Sequence, residues 1–131
     1  AEELPKPENT VPSVTYLAGT VYFNNGSSAV DASYNRQLRE IVRLAKAKKA
    51  TLNVFGYASS RTRNTDIVSH KMANFRVSAA RAENVANALR RAGMPASKIK
   101  VEALSDSNPA YLEVMPEGER LNRRAEIYIS Y

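Results

Sequence analysis

Hydrophobic spacing changes period several times along this chain, and that alternation limits the fold more than any other feature. Between Ala32 and Lys46 the residues Tyr34, Leu38, Ile41, Val42 and Ala45 recur at helical intervals, while Arg36, Arg39, Glu40, Arg43 and Lys46 take the other faces. The pattern predicts an amphipathic helix of about four turns. TYLAGTVYF before it, ending at Phe23, and TLNVFGY after it are β-prone, and NNGSS has the composition of a turn. TLNVFGY carries apolar residues of both parities, which predicts an interior strand covered on both faces.

A second helical pattern runs from about Asn74 or Phe75 to Ala92, with Val77, Ala82, Val85, Ala88, Leu89 and Ala92 as its apolar stripe. Gly93 and then Pro95 end it. A short strand KVEAL, a turn-rich loop from Ser105 to Leu121 and a final strand RAEIYIS follow. In the last strand Ala125, Ile127 and Ile129 alternate with Glu126, Tyr128 and Ser130, which predicts one buried face. The order is βαβαββ, an α+β fold with two main helices on a mixed four-stranded sheet. The stretch ASSRTRNTDIVSHKMA reads as a long polar loop with at most a helical turn near Asp66 to Met72. Loops of that length in compact domains tend to be functional or mobile.

Residues 1–13, AEELPKPENTVPS, hold three of the six prolines and three glutamates without apolar periodicity, so they read as an extended tail or linker. Residues 14–131 read as one domain, since 131 residues at 44% apolar content are enough for one continuous core. There is no cysteine, which excludes a disulfide, a thiolate metal site and a cysteine nucleophile, and fits either the cytosol or a bacterial envelope. No run approaches the roughly 20 apolar residues of a membrane span, and the first residues lack the regions of a signal peptide. The chain thus reads as a mature or trimmed soluble fragment.

A formal charge of +6 favours acidic partners: nucleic acid, anionic lipid or a carboxylate-bearing polymer. Nucleic acid is not expected, because the aromatic residues do not alternate with Lys or Arg on one strand face and neither helix is uniformly basic. Arg61, Arg63, Lys71, Arg76 and Arg81 stand against Asp66 in an ordinary basic stretch. No G-x-S-x-G, H-E-x-x-H or P-loop pattern occurs, so neither an enzyme nor a cofactor is expected. The one histidine, His70, has no triad partner at a recognisable spacing, and Asp31, Asp66 and Asp106 show no metal-ligand spacing. Asp31 reads as a helix N-terminal cap or first-turn acid.

Arg81 stands out by position. Four residues before Val85 and seven before Ala88, it leaves the second helix on or beside the core-facing side, near the expected N-terminal end. A guanidinium there needs an anionic or carbonyl partner. It can hold a ligand carboxylate through two parallel bonds with help from the helix N-terminus, or tie down a carboxylate of the protein itself. The run Arg120, Leu121, Asn122, Arg123, Arg124 reads as a solvated basic edge that discourages strand pairing, with a second anion-facing element as the alternative.

From about Thr20 to Ser130 the chain resembles an OmpA-like domain, the peptidoglycan-associating module of Gram-negative envelope proteins. VYFNNGSSAV, VFGYAS, NFRVSAARAENVANAL, GMPASKIKVEAL and NRRAEIYI carry the resemblance, in that order. In that family the second strand ends G-H-T-D or G-Y-T-D and helix two opens N-x-x-L-S-x-x-R-A. The aspartate and arginine hold diaminopimelate of the stem peptide. The resemblance implies that Arg81 takes the carboxylate, with Asn74, Asn122, Arg123 and Arg124 at matching positions. The acid positions hold Ser59 and Asn24, both neutral, and Asp66 is a candidate substitute acid.

Two functions are implied. One is a non-catalytic peptidoglycan-binding module that anchors an outer-membrane protein or lipoprotein to the wall from the periplasm, with membrane contact only through an upstream anchor. The other is an OmpA-like subunit that has lost the ligand and assembles with other envelope proteins, as in a secretion system, through the Arg61 to Met72 stretch.

Overall fold

The structure is a computed structural model that describes residues 14–58, 67–105 and 122–131, with 67–74 and 105 as backbone. Strand β1 is Thr15–Tyr22, helix α1 Asn35–Ala47, β2 Thr51–Tyr57, α2 Ile67–Arg91, β3 Ile99–Ser105 and β4 Arg124–Ser130. Single 3-10 turns, Ala32–Tyr34 and Ala96–Lys98, precede α1 and β3. The sheet has the order β1-β4-β2-β3. β4 runs antiparallel to both β1 and β2, and β2 pairs parallel with β3. The fold is therefore α+β with a mixed four-stranded sheet, as the spacing predicts.

One side of the sheet carries both helices. Val21, Leu52, Val54, Ala125, Ile127 and Ile129 face Leu38, Val85 and Leu89 across that layer, and all are buried. Burial of such side chains is worth about 1.5–3 kcal/mol each and drives the packing. The other side is only half covered. Phe55 and Tyr128 meet there edge to face with centroids 5.5 Å apart, so β2 is interior in the order but not sealed on both faces as expected. β4 is interior too. The basic run before it therefore does not guard a sheet edge, and Arg124 is buried rather than solvated.

Each helix stop has a backbone cause. α2 ends where Gly93 takes φ 115, with Gly93 N–H on Arg90 O at 2.9 Å and Met94 N–H on Leu89 O at 3.1 Å. This is a Schellman motif, for which glycine at the left-handed position is favoured. α1 ends the same way with Lys49 N–H on Lys46 O and Ala50 N–H on Ala45 O, but the left-handed residue is Lys49 at φ 56. A side chain in that conformation costs roughly 1–2 kcal/mol. Asp31 accepts from Ser33 N–H at 2.9 Å and starts the 3-10 turn before α1, a capping role as expected.

The helix α2 begins at Ile67, not near Asn74. Its first turns lie in the stretch read as a polar loop, whose composition conceals them. No glycine or proline stands between Ser59 and Ala92 to stop a helix, and extending one already nucleated adds a hydrogen bond per residue without a new nucleation penalty. Of the expected loop, residues 59–66 lie outside the described residues, as do the tail 1–13 and most of the Ser105 to Leu121 loop.

Gly56 sets how closely α2 approaches the sheet. A Cβ on Gly56 would stand 1.9 Å from the backbone oxygen of Ser78 and 3.1 Å from Ala82 Cβ. Only a residue without a side chain lets the helix backbone rest on β2 here. Gly56→Ala is expected to destabilise the domain by about 3 kcal/mol in urea unfolding, since neither backbone can move aside without shifting α2.

Candidate functional site

The contact at Gly56 lands α2 on the C-terminal end of β2 and places Arg81, one turn after Ser78, over the exit of that strand. Arg81 is 1% exposed and among the largest fully buried side chains. Its guanidinium donates from Nε to Ser27 O at 2.8 Å, from Nη1 to Tyr57 O at 3.1 Å and from Nη2 to Asn24 O at 3.2 Å. The Phe23 ring lies beneath it, 5.2 Å from Cζ to centroid. One side chain thus ties α2 to the end of β2 and to the turn after β1. The partners are carbonyls, so among the described residues the arginine does not tie down a carboxylate of the protein.

With α2 starting at Ile67, Arg81 lies well inside the helix. The help expected from a helix N-terminus is therefore absent, because that field fades within the first turn. What surrounds the guanidinium instead is low-dielectric protein and a second cation. Burial, and next the charge of Arg123, push its pKa down to about 10, which leaves it fully charged at neutral pH. Two of its five N–H groups are uncommitted among the described residues.

The turn it grips is built for the purpose. Ser27 N–H returns to Asn24 O at 3.0 Å, and Gly26 at the third position has φ 72, the requirement of a type II turn. That geometry points the Asn24 and Ser27 carbonyls back at Arg81. One turn along α2, Asn84 Nδ2 donates to Ser28 O at 2.7 Å and adds a second tie that the sequence reading missed. On the far side, Phe23 and Arg123 are paired: Phe23 N–H reaches Arg123 O at 2.9 Å, and Arg123 Nε donates to Phe23 O at 3.2 Å. A cleft of about 500 Å3 opens beside this assembly, lined by Phe23, Asn24, Ser27, Asp31, Tyr34 and Arg123 among others.

Of the residues marked in the sequence, Arg81, Asn24, Asn122 and Arg123 come together around the exits of β1 and β2. Asn74 lies in α2, seven residues before Arg81, with only its backbone described. Ser59 and Asp66 lie outside the described residues. Arg124 turns away. It is 3% exposed, donates to Glu126 Oε2 at 2.8 Å and to Asn122 Oδ1 at 3.2 Å, and stacks 3.8 Å from the Tyr57 ring on the open side of the sheet. Tyr128 Oη donates to the other oxygen of Glu126 at 3.1 Å. The Arg124, Glu126, Tyr128 spacing of two residues was the available signal for this network.

Tyr57 joins the two halves, with its carbonyl on Arg81 and its ring under Arg124. Burial, followed by the carboxylate of Glu126, raises its phenol to about 12. Between pH 10 and 12 the unfolded chain loses this proton while the folded chain keeps it, so the stability that Tyr57 contributes falls as pH rises through that window. Arg81, lowered to about 10, titrates there with the opposite sign, so the Tyr57 part is read against a variant: in alkaline unfolding, the stability of the wild type relative to Tyr57→Phe should fall between pH 10 and 12.

Comparison with known proteins places the site in context. The model of the OmpA family matches residues 22–123. The chain is 32% identical over 115 residues to the probable lipoprotein YiaD of Escherichia coli, covering 87% of this chain and 49% of the relative. It is 30% identical over 124 residues to the peptidoglycan-binding protein ArfA of Mycobacterium tuberculosis, covering 94% and 35%. The chain thus spans about half the length of one of these relatives and about a third of the other. Among solved structures, the peptidoglycan-associated lipoprotein of Burkholderia pseudomallei superimposes with a TM-score of 0.72 at 23% identity, over 84% of this chain and 88% of that one. The cell wall anchor of the T6SS from Pseudomonas aeruginosa does so at 0.69 and 27% identity, over 85% and 78%.

Proposed function

The chain belongs to the OmpA family, and on that premise we propose that it is a non-catalytic module binding the stem peptide of diaminopimelate-type peptidoglycan at the exits of β1 and β2. The observation that carries this reading is Arg81. It is a fully buried cation whose hydrogen bonds among the described residues are met by neutral carbonyls only. Carbonyls satisfy donors but do not neutralise charge, and Arg123 raises the local positive potential further. A ligand carboxylate drawn to this end supplies the missing countercharge.

Because Arg81 is 1% exposed, the ligand reaches it by exchanging with a carbonyl of the Asn24 to Ser27 turn. Arg123 at the mouth of the cleft meets the incoming anion first, and Asn24, Asn74 and Asn122 supply neutral hydrogen bonding around it. The ammonium of diaminopimelate meets Ser59 and Asn24, or Asp66 as a substitute acid. A charge-assisted bond is worth roughly 1.5–3 kcal/mol against about 1 for a neutral one, so a neutral pair holds the ammonium less tightly.

YiaD is described as a probable lipoprotein and ArfA as peptidoglycan-binding. By that likeness the module works in the envelope, facing the periplasm and tethered to the outer membrane. A second reading is favoured by the neutral Ser59 and Asn24: the fold has lost peptidoglycan binding and serves as a structural subunit of an envelope complex such as a secretion system, where the T6SS neighbour supports membership of such a complex while being itself described as a cell wall anchor.

Co-sedimentation with purified diaminopimelate-type peptidoglycan separates the two. The wild-type chain is expected in the pellet, with Ser59→Asp tightening binding about fivefold, the gain of one charge-assisted bond. Arg81→Lys keeps the charge but loses the fork that meets carbonyl and carboxylate together, and is expected to weaken binding at least about tenfold. Wild-type chain that stays in the supernatant while remaining folded refutes the binding reading and leaves the structural one.

A further inference from the structure

The topology gives the domain two poles. Strands β1, β2 and β3 run in one direction, antiparallel to β4, and both helices run back against them. The cleft lies where the first two strands exit. At the opposite pole lie the starts of β1, β2 and β3, the C-terminal ends of both helices and the end of β4.

That opposite pole is strongly basic. Lys46, Lys48, Lys49, Arg90, Arg91 and Lys98 are all exposed there. None forms an ion pair among the described residues, where the pairs are Arg43 with Glu40 and Arg124 with Glu126. The described acids lie elsewhere: Asp31 precedes α1, Glu40 and Glu83 sit further back along the helices, Glu102 is midway along β3 and Glu126 belongs to the Tyr57 network. Two helix C-termini carry about half a negative charge each, so roughly one cation would offset both. Six exceed that need several times over and repel one another. Lys49 even holds the left-handed position that Gly93 fills in the matching turn after α2.

Apolar side chains share this pole. Val14 and Tyr131 exchange both backbone hydrogen bonds, and Tyr16 stands two residues on, on the same face. The three are 39%, 37% and 38% exposed, and the Lys48 ammonium sits 4.7 Å over the Tyr131 ring. Residues 1–13 lead into the fold here, through Val14. Cations alone fit any polyanion. Cations interleaved with exposed tyrosine and valine fit a bilayer interface, where lysine and arginine meet phosphates and tyrosine sits at headgroup depth.

We infer that this pole docks on the surface of an anionic phospholipid bilayer, leaving the opposite pole free for its own ligand. Direct contact of this kind is additional to the tether that the sequence reading assigned as the sole membrane link.

Vesicle flotation of the whole chain tests the inference, using phosphatidylcholine with and without phosphatidylglycerol. Binding is expected only to the anionic vesicles, and to fade at high salt. The triple variant Lys48→Glu, Lys49→Glu, Lys98→Glu should lower it at least about tenfold. Tyr16→Ser with Tyr131→Ser should lower vesicle binding while leaving retention on heparin unchanged. No flotation with anionic vesicles overturns the inference. Vesicle binding that follows heparin retention through every variant also overturns it, since the pole would then be a surface for polyanions such as nucleic acid. Peptidoglycan sedimentation of the same variants should match wild type; its loss would place these residues in the wall site and overturn the separation of poles.

Discussion

A guanidinium buried inside the protein is the constraint around which the ligand end is arranged. Removing a cation from water is costly unless its donors are met, and Arg81 meets three of its five with carbonyls from two separate segments, the turn after β1 and the exit of β2. Those segments are far apart in sequence, and the strand ends they extend are set side by side by their common pairing with β4. The arginine ties the turn after β1 to the end of β2 and to α2, and its own position follows from the absence of a side chain on Gly56. Packing places the helix, and hydrogen bonding to the helix places the loops.

That arrangement settles what kind of chemistry the end can offer. Carbonyls satisfy directional bonds and leave the formal charge intact, so the positive potential of Arg81 persists and Arg123 adds to it. The acid nearest in sequence to this run, Glu126, has one oxygen on Arg124 and the other on Tyr128. It is consumed by the open side of the sheet and is not a counterion for the cleft. Of the three residues Asn122, Arg123 and Arg124, the last serves the framework, while Arg123 remains at the mouth of the cleft. The cleft accordingly sets Arg123 and the buried Arg81 beside neutral amides and hydroxyls, with the one described carboxylate of its lining, Asp31, engaged with Ser33 N–H.

Much of this was legible in the residues. Period-3.6 spacing placed the body of both helices and period-2 spacing the last strand, because burial on one face leaves that signature; β-prone composition between turn and helix signals placed the other three strands. Arg81 interrupted an apolar stripe, which marked it as a buried charge needing partners. The partners themselves were not legible. Backbone carbonyls have no residue identity, so Ser27 O and Tyr57 O leave no trace in composition. The start of α2 was hidden because Val68, Met72 and Phe75, though at helical spacing, follow the polar run ASSRTRNTD and stand among Ser69, His70 and Lys71, and nothing in the segment breaks a helix. The edge assignment for Arg124 failed because strand order is a non-local property: β4, last in the chain, inserts between β1 and β2.

The two ends of the domain thus differ in kind. One buries its key cation and holds it with backbone; the other exposes its cations beside tyrosines. The central claim, that Arg81 closes on a stem-peptide carboxylate, is tested most directly by nitrogen-15 NMR of its side chain. The Nε–H signal should be dispersed and protected by its bond to Ser27 O, and titration with a diaminopimelate stem peptide should shift it together with the amides of Asn24, Ser27 and Arg123. The amidated peptide, lacking the free diaminopimelate carboxylate, should leave it in place. An Arg81 signal indifferent to both peptides, or moved equally by both, would contradict the account.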